Sequence, residues 1–312
     1  MKLAHISDIH ILSLGGHGLR AFLNKRLAGG ANILLNRRAN YKNEVAFALV
    51  EDMNTRGGFE HVCITGDLTS LALKAEFEIA GELLGKLRGG PPGVSLIPGN
   101  HDFYTKGSER EKSFETAFGH FMKSDVDLGV GGPFPYLHVR GDAAIIGLST
   151  GIATGLLFAY GVLGEAQLGG LERALTHPST QGKARVVLIH HPPVKTTKFL
   201  RGGRSLRDAG ALGEILKAHG AELVLHGHEH EDLAYDIPGR DGAPIPVRGV
   251  PSASYVGRHA YRHARYHIYE MLRLDGAARP TLVSREVRSY QAAGGGFADV
   301  EAVPLGVEAL RT

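Results

Sequence analysis

Cysteine is almost absent from this chain: Cys63 is the one cysteine among 312 residues. A single cysteine cannot form an internal disulfide, so a disulfide-stapled scaffold is excluded and a reducing compartment is favoured. We therefore expect a cytoplasmic protein. Because Cys63 stands within the β-prone run 61–65, we interpret it as a buried strand residue without a redox role.

A strong excess of charge is also missing. The 35 basic and 32 acidic residues leave a net charge of +3, which is too small to indicate bulk binding of nucleic acid. No basic start followed by a long apolar stretch is present, so a secretory signal is not expected. The stretch 143–164 holds no charged residue, but its five glycines favour a strand and a loop over a membrane span.

Short apolar runs alternate with helical segments along most of the chain. Strands are predicted at 2–7, 60–65, 94–97, 143–148, 185–189, 222–225, 246–250, 265–272 and 281–287, and helices at 41–55, 71–87, 108–123, 165–175 and 207–218. This alternation is typical of a layered α/β domain with helices outside the sheets. We assign one domain to residues 1–290. The Gly-rich segment 291–312 has no clear periodicity and is predicted to be a loosely packed tail.

Histidine, aspartate and asparagine are grouped in five short blocks, each behind an apolar run. The blocks are Asp8-Ile9-His10, Gly66-Asp67, Gly99-Asn100-His101-Asp102, His190-His191 and Gly227-His228-Glu229-His230. In open α/β sheets, ligands gather outside the carboxyl ends of the strands, on loops that a rigid scaffold holds in place. We therefore expect the five blocks to meet in one site.

The candidate ligands within the blocks are two carboxylates, one amide and four imidazoles, without a thiolate: Asp8, Asp67, Asn100, His10, His190, His228 and His230. Such mixed nitrogen and oxygen ligands suit Mn, Fe, Zn, Co or Ni better than Ca or Mg, and Mn or Fe is our first expectation. The spacing of two in Asp8/His10 and in His228/His230 directs both side chains of each pair to one side. A single block has an ordinary structural explanation, whereas five in this order favour a metal site.

The order of the blocks resembles the calcineurin-like metallophosphoesterase superfamily over about residues 1–290. The resemblance implies a four-layer α/β/β/α sandwich with two metal ions, which Asp67 would bridge. One ion would be held by Asp8, His10, Asp67 and His230, and the other by Asp67, Asn100, His190 and His228. His101 would be the catalytic histidine that binds no metal, with Asp102 orienting its imidazole. His190 and His191 are adjacent, and we choose His190 because it closes the strand.

The resemblance implies a phosphoric ester hydrolase, because two cations about 3.5–4 Å apart can clamp an in-line displacement at phosphorus by water. We expect a phosphodiester first, since the pattern is similar to bacterial class III cyclic-nucleotide phosphodiesterases. It is also similar to UDP-2,3-diacylglucosamine pyrophosphatases, so a lipid-nucleotide enzyme acting at a membrane surface is the alternative. A binding scaffold that keeps the fold without catalysis is the alternative from another class.

Two basic segments bear on the choice of substrate. Segment 11–43 holds six basic residues, no acidic residue and several aliphatic side chains. It is either a solvated helix over the core or a basic, apolar lid that contacts anionic lipid at the inner face of a membrane. The loop after His191 carries Lys198, Arg201 and Arg204, which either bind the substrate's phosphate or belong to a solvated loop.

Overall fold

Aliphatic and β-branched runs form two six-stranded sheets in the part of the chain that the structure describes. The computed structural model describes residues 1–13, 38–104, 107, 112–155, 158–194 and 203–304. The strands are β1 (Lys2–Ile6), β2 (His61–Ile64), β3 (Val94–Leu96), β4 (Tyr136–Arg140), β5 (Ala143–Gly147), β6 (Ala184–Leu188), β7 (Leu223–His226), β8 (Leu233–Pro238), β9 (Pro244–Gly249), β10 (Arg265–Leu272), β11 (Thr281–Gln291) and β12 (Gly296–Pro304). The first sheet has the order β12-β11-β10-β1-β2-β3, and the second has the order β4-β5-β6-β7-β9-β8.

Helices lie against both sheets. They are α1 (Asn43–Arg56), α2 (Lys74–Gly85), α3 (Ser113–Phe118), α4 (Gly164–Thr176) and α5 (Ala209–His219), with a helical turn at Arg38–Asn40 and short 3-10 turns elsewhere. The larger core joins both sheets with α1 and α2, through residues such as Ile6, Leu49 and Leu225. The smaller core lies between the second sheet and the helices α4 and α5. These layers confirm the predicted α/β/β/α sandwich.

The predicted ligand blocks follow parallel strands. β1, β2 and β3 are parallel neighbours in the first sheet, as are β5, β6 and β7 in the second. Parallel strands end at the same edge of a sheet, so the loops that follow them collect there. The two sets of loops also meet each other: His190 Nδ1, just after β6, lies 2.6 Å from the Thr65 carbonyl oxygen, just after β2.

The C-terminal segment differs from its prediction. Residues Gly296–Pro304 form β12, which pairs with β11 in antiparallel register from Gln291↔Gly296 to Ser284↔Pro304. The expectation of a loose tail is therefore wrong for this stretch, and residues 305–312 lie outside the described part. Pairing with β11 from Gly296 to Pro304 orders this strand, and such pairing leaves little trace in local periodicity.

Three other elements also depart from the sequence prediction. Strands β4 and β8 were not expected, and the helix predicted at 108–123 is the short α3 followed by a 3-10 turn at Gly119–Phe121. The uncharged stretch 143–164 contains β5 and the beginning of a connecting loop. Among the described residues, no helix has the length and apolar character that a membrane crossing requires.

Candidate metal centre

Five of the predicted ligands have a backbone conformation that is rare for residues with a side chain. Their φ angles are positive, between 51° and 72°: Asp8, His10, Asp67, His228 and His230. Each such residue outside glycine costs of order 1–3 kcal/mol, and such residues cluster at functional sites. Tight pairing between the loops stabilises the turns, since the Asp8 and His10 N–H groups donate to the carbonyl oxygens of Gly66 and Asp67, at 2.9 Å in both cases.

Glycine is required where the loops approach each other most closely. A Cβ atom at Gly227 would collide with Ser7 Oγ and Asp8 Oδ2. Because the two loops are this close, the N–H of the next residue, His228, donates to Asp8 Oδ2 at 3.0 Å. The glycine of the fifth block thus lets the loop after β7 lie against the loop after β1.

Four of the predicted ligands form one buried cluster. Donor atoms of Asp8, His10, Asp67 and His230 all lie within 4.8 Å of one another. His230 Nε2 is 3.0 Å from Asp8 Oδ1 and 3.1 Å from His10 Nε2. His10 Nε2 is in turn 3.8 Å from Asp67 Oδ2. Two carboxylates and two imidazoles therefore point their donor atoms at one small volume.

The remaining predicted ligands lie on the other side of Asp67. Asp67 Oδ2 is 3.4 Å from His190 Nε2, which is 3.3 Å from Asn100 Oδ1. The His190 and His228 rings are 5.2 Å apart between centroids. Because the His228 Nε2 atom is 3.1 Å from the Arg204 carbonyl oxygen, Nε2 carries a proton and Nδ1 is the nitrogen with a free lone pair.

Backbone carbonyl groups fix the ring orientation of two other histidines. His190 Nδ1 lies 2.6 Å from the Thr65 carbonyl oxygen, and His101 Nδ1 lies 2.8 Å from that of Ser70. A carbonyl oxygen can only accept, so Nδ1 carries the proton in both rings. Nε2 is the other nitrogen of each ring, and in His190 it points to Asp67 and Asn100.

His190 and His191 occupy different environments. His191 Nδ1 lies 2.7 Å from Thr150 Oγ1, and its Nε2 donates to the Ala159 carbonyl oxygen at 2.9 Å. Both nitrogens of His191 thus have partners in the neighbouring loop, whereas His190 Nε2 points to Asp67 and Asn100. The geometry favours His190 as the ligand of this pair.

Asp102 has different partners from those expected. Its Oδ2 accepts from the Gly99 and Leu68 N–H groups at 2.9 and 3.3 Å. Its Oδ1 accepts from both the N–H and the hydroxyl of Thr69, at 3.0 Å each. The prediction that Asp102 orients the His101 imidazole is therefore corrected: the acceptor at His101 Nδ1 is the Ser70 carbonyl oxygen, and Asp102 fixes the loop that carries Ser70.

The titration of the buried groups follows from their pairing. Burial raises the pKa of Asp8 and Asp67, but neighbouring histidines outweigh it and leave both pKa values below the ordinary one. Burial lowers the pKa of His190, yet the Asp67 carboxylate raises it to about 9. Burial holds the pKa of His228 well below its usual range. The site therefore contains ionised carboxylates beside imidazoles, and a cation bound there would replace the proton of His190.

The donor set fits a metal cation. Asp8 Oδ1 is buried and receives no well-directed hydrogen bond from any described residue, although His230 Nε2 is close. Two Nε2 atoms only 3.1 Å apart, from His10 and His230, converge on the same volume. A buried carboxylate oxygen without a donor is costly unless a positive charge compensates it, and oxygen and imidazole donors suit a first-row transition metal.

Two side chains that contact this site, Tyr41 and Glu76, were not predicted from the sequence. The Tyr41 hydroxyl lies 2.8 Å from His230 Nδ1, and no local pattern distinguishes this tyrosine from others. The buried Glu76 accepts from the loop after Asp67. The three predicted substrate-binding side chains are Lys198, Arg201 and Arg204. Arg204 is exposed and contributes its carbonyl oxygen. Lys198, Arg201 and residues 14–37 of segment 11–43 lie outside the described residues.

Several known proteins are similar to this chain in sequence. A family model described as calcineurin-like phosphoesterase matches residues 1–232. The cAMP/cGMP dual specificity phosphodiesterase of Mycobacterium tuberculosis is 32% identical over 96 residues, which are 31% of this chain and 28% of that protein. A probable cyclic nucleotide phosphodiesterase of Rhodococcus erythropolis is 30% identical over 96 residues, 31% of this chain and 30% of that protein. These matches span less than a third of each curated relative.

Solved structures also resemble this chain. A purple acid phosphatase from yellow lupin seeds aligns with a TM-score of 0.53 and 10% identity, covering 100% of this chain and 55% of that chain. At this identity the likeness concerns the fold alone.

Proposed function

The chain belongs to the calcineurin-like phosphoesterase family, and from that premise we propose that it hydrolyses a phosphodiester with two bound metal ions. The position of Asp67 carries the proposal. Its Oδ2 atom lies 3.8 Å from His10 Nε2 and 3.4 Å from His190 Nε2. Two groups of ligands therefore share one carboxylate, as the bridging ligand of a pair of cations requires.

Each cation would have four protein ligands. Asp8, His10, Asp67 and His230 would hold the first, and Asp67, Asn100, His190 and His228 would hold the second, with His228 using Nδ1. Mn or Fe is expected, and Zn, Co or Ni suits the same donors. When bound, the cations would supply positive charge that polarises the phosphoryl oxygens and favours deprotonation of the attacking water.

His101 would transfer a proton to the leaving oxygen. Its Nδ1 proton is donated to the Ser70 carbonyl oxygen, so the proton that passes to the leaving oxygen would be a second one, carried on Nε2. The ring packs edge-on against the His10 ring at 4.9 Å between centroids, so it stands beside the first group of ligands. A histidine in this place can act as a general acid, which contributes about 10²–10⁴-fold in rate.

The substrate is proposed to be a small phosphodiester in the cytoplasm, and nucleic acid is not expected. The two curated relatives support this class, since their names specify cyclic nucleotides. The lipid-nucleotide alternative depends on segment 11–43 as a lid at a membrane surface, and most of this segment lies outside the described residues.

The test compares metal content and turnover in the same samples. The full chain is stripped with a chelator, reloaded with Mn, and assayed on bis(p-nitrophenyl) phosphate, p-nitrophenyl phosphate and 3′,5′-cyclic AMP. We expect activity to return with the metal and to favour the diesters. Asp67→Asn should lose bound metal and at least about 10²-fold in turnover. Asp275→Asn changes an exposed aspartate and should behave as wild type.

Three other results of this experiment would contradict parts of the proposal. Turnover and metal content at wild-type levels in Asp67→Asn would refute the bridging role. Bound metal without hydrolysis of any ester would favour the binding scaffold. Preference for UDP-2,3-diacylglucosamine, with a gain in detergent, would favour the lipid-nucleotide enzyme over the proposed one.

A further inference from the structure

A second buried carboxylate, Glu76, contacts the loop that follows Asp67. Glu76 lies in the first turn of α2 and is fully buried. Its Oε2 atom accepts from the Leu71 N–H at 2.8 Å and from the Leu73 N–H at 3.2 Å. Burial raises the pKa of Glu76 to about 7 against the effect of these N–H donors, so the carboxylate form is present above neutral pH.

The Leu71 N–H and the Ser70 carbonyl belong to the same peptide group. That carbonyl oxygen accepts from His101 Nδ1 at 2.8 Å. A peptide that donates to a carboxylate through its N–H becomes a stronger acceptor at its oxygen, because hydrogen bonds in a chain polarise one another. The carboxylate of Glu76 is thus linked to the His101 imidazole through one peptide group.

We propose that Glu76 is a positioning residue for His101: acting through the Ser70–Leu71 peptide, it holds one proton on Nδ1 and orients the ring so that a second proton, carried on Nε2, passes to the leaving oxygen. The inference rests on the proposed function, because it concerns the same reaction. It adds a residue that contacts neither the candidate ligands nor the imidazole directly.

Capping of α2 does not account for all of these contacts. The Leu73 N–H belongs to the N-cap residue of α2, so its bond to Glu76 is an ordinary cap. Leu71 precedes the helix, and its bond to Glu76 is the shorter of the two. The Ser70 N–H donates to the Ile11 carbonyl oxygen at 3.1 Å and also interacts with the Glu76 carboxylate. Glu76 also accepts from the Ser13 N–H at 3.5 Å, and the shortest of its bonds to backbone N–H groups is the one to the peptide that His101 uses.

The first experiment measures how kcat depends on the leaving group of the ester. Mn-loaded full chain is assayed at pH 8 on methyl p-nitrophenyl phosphate, whose leaving group needs little protonation, and on methyl phenyl phosphate, whose leaving group needs more. We expect Glu76→Gln to lower kcat about tenfold on the phenyl ester and much less on the p-nitrophenyl ester, with KM and metal content unchanged. Glu78→Gln, on the exposed side of the same helix, is the control and should match wild type.

A double-mutant cycle adds a criterion that a merely structural role would not meet. His101→Gln should lower kcat on the phenyl ester strongly, and adding Glu76→Gln should cause no further loss, because coupled residues are not additive. Additive losses, equal losses on both esters, or loss of metal in Glu76→Gln would each overturn the proposal.

The imidazole ¹⁵N spectrum of metal-free wild type gives a test that needs no folded Glu76 variant. The His101 signals, identified by their absence in His101→Gln, should report a protonated Nδ1 at pH 8, and a proton on Nε2 instead would overturn the proposal.

If wild type hydrolyses neither ester, the proposed function fails and this inference fails with it. If Asp67→Asn is inactive while Glu76→Gln matches Glu78→Gln, the positioning role alone fails.

Discussion

The Tyr41 hydroxyl lies 2.8 Å from His230 Nδ1, and the same ring stands edge-on to His10 at 5.4 Å between centroids. One tyrosine therefore contacts two candidate ligands of the first cation. A hydrogen bond at the second nitrogen of a ligating histidine fixes the orientation of the ring and increases its basicity. Tyr41 is thus a supporting residue of the proposed metal centre, although it belongs to none of the five blocks.

Tyr41→Phe should weaken metal binding without disturbing the fold. The substitution removes the hydroxyl and keeps the ring, so we expect affinity for Mn or turnover to fall about tenfold. Titration of chelator-treated protein with Mn measures the affinity. Tyr290→Phe is the matched control, because Tyr290 packs on Phe297 in the first sheet. Equal affinities in the two variants would show that Tyr41 does not support His230.

His190→Ala and His191→Ala should have different consequences. We expect His190→Ala to lose metal and at least about 10²-fold in turnover, because it removes a proposed ligand. His191→Ala should keep its metal content and mainly lower thermal stability, since it removes the contacts with Thr150 and Ala159. Elemental analysis beside thermal unfolding distinguishes the two effects. The reverse pattern would make His191 the ligand.

Asp102→Asn should destabilise the metal-free protein. Both oxygens of Asp102 accept hydrogen bonds from backbone N–H groups, and an amide would turn its own N–H₂ toward one of these donors. A buried donor left without an acceptor costs about 1–3 kcal/mol. Urea unfolding of chelator-treated protein measures the loss, and Asp127→Asn, an exposed residue that accepts from the Gly129 N–H, is the control. An unchanged free energy of unfolding in Asp102→Asn would show that Asp102 does not stabilise the loop that carries Ser70.

Stability should fall in mild acid because of a chain of buried hydrogen bonds that includes none of the candidate ligands. His61 Nε2 and His138 Nδ1 each lie 2.8 Å from Ser95 Oγ, and His138 Nε2 lies 3.1 Å from the Lys123 carbonyl oxygen. Since that carbonyl only accepts, His138 Nε2 donates and Nδ1 accepts from the Ser95 hydroxyl, which requires a neutral ring. Burial lowers the pKa of His138 to about 4 and that of His61 to about 3.

The unfolded chain binds these protons near pH 6.5, the ordinary histidine value. Between about pH 6.5 and 4 the unfolded state therefore holds more protons than the folded state, and the free energy of unfolding falls as the pH falls. For His138 alone the loss reaches at most about 3 kcal/mol. His138→Asn keeps an acceptor for Ser95 but does not titrate, so its unfolding free energy should depend less on pH. His120→Asn, at an exposed position, should keep the wild-type pH dependence.

Local patterns in the sequence predicted much of the fold. The strand Arg265–Leu272 was expected with the bounds it has, because its tyrosines and isoleucine are residues that favour strands. The helix expected at 108–123 contracts to Ser113–Phe118 among the described residues. The strand Gly296–Pro304 was missed because its order comes from pairing with β11. Periodicity reports the burial of side chains along one element, and it says little about a strand that is ordered by its neighbour.

By itself, the sequence determined the kind of donors this protein carries and their place after strands, since both are properties of short segments. Only the tertiary structure decided which atoms meet. The His228 N–H reaches Asp8 across 220 positions of the chain, and His101 turns to the Ser70 carbonyl oxygen instead of the neighbouring Asp102. These hydrogen bonds depend on the direction of distant backbone groups after the two sheets have packed, and no local run of residues encodes that direction.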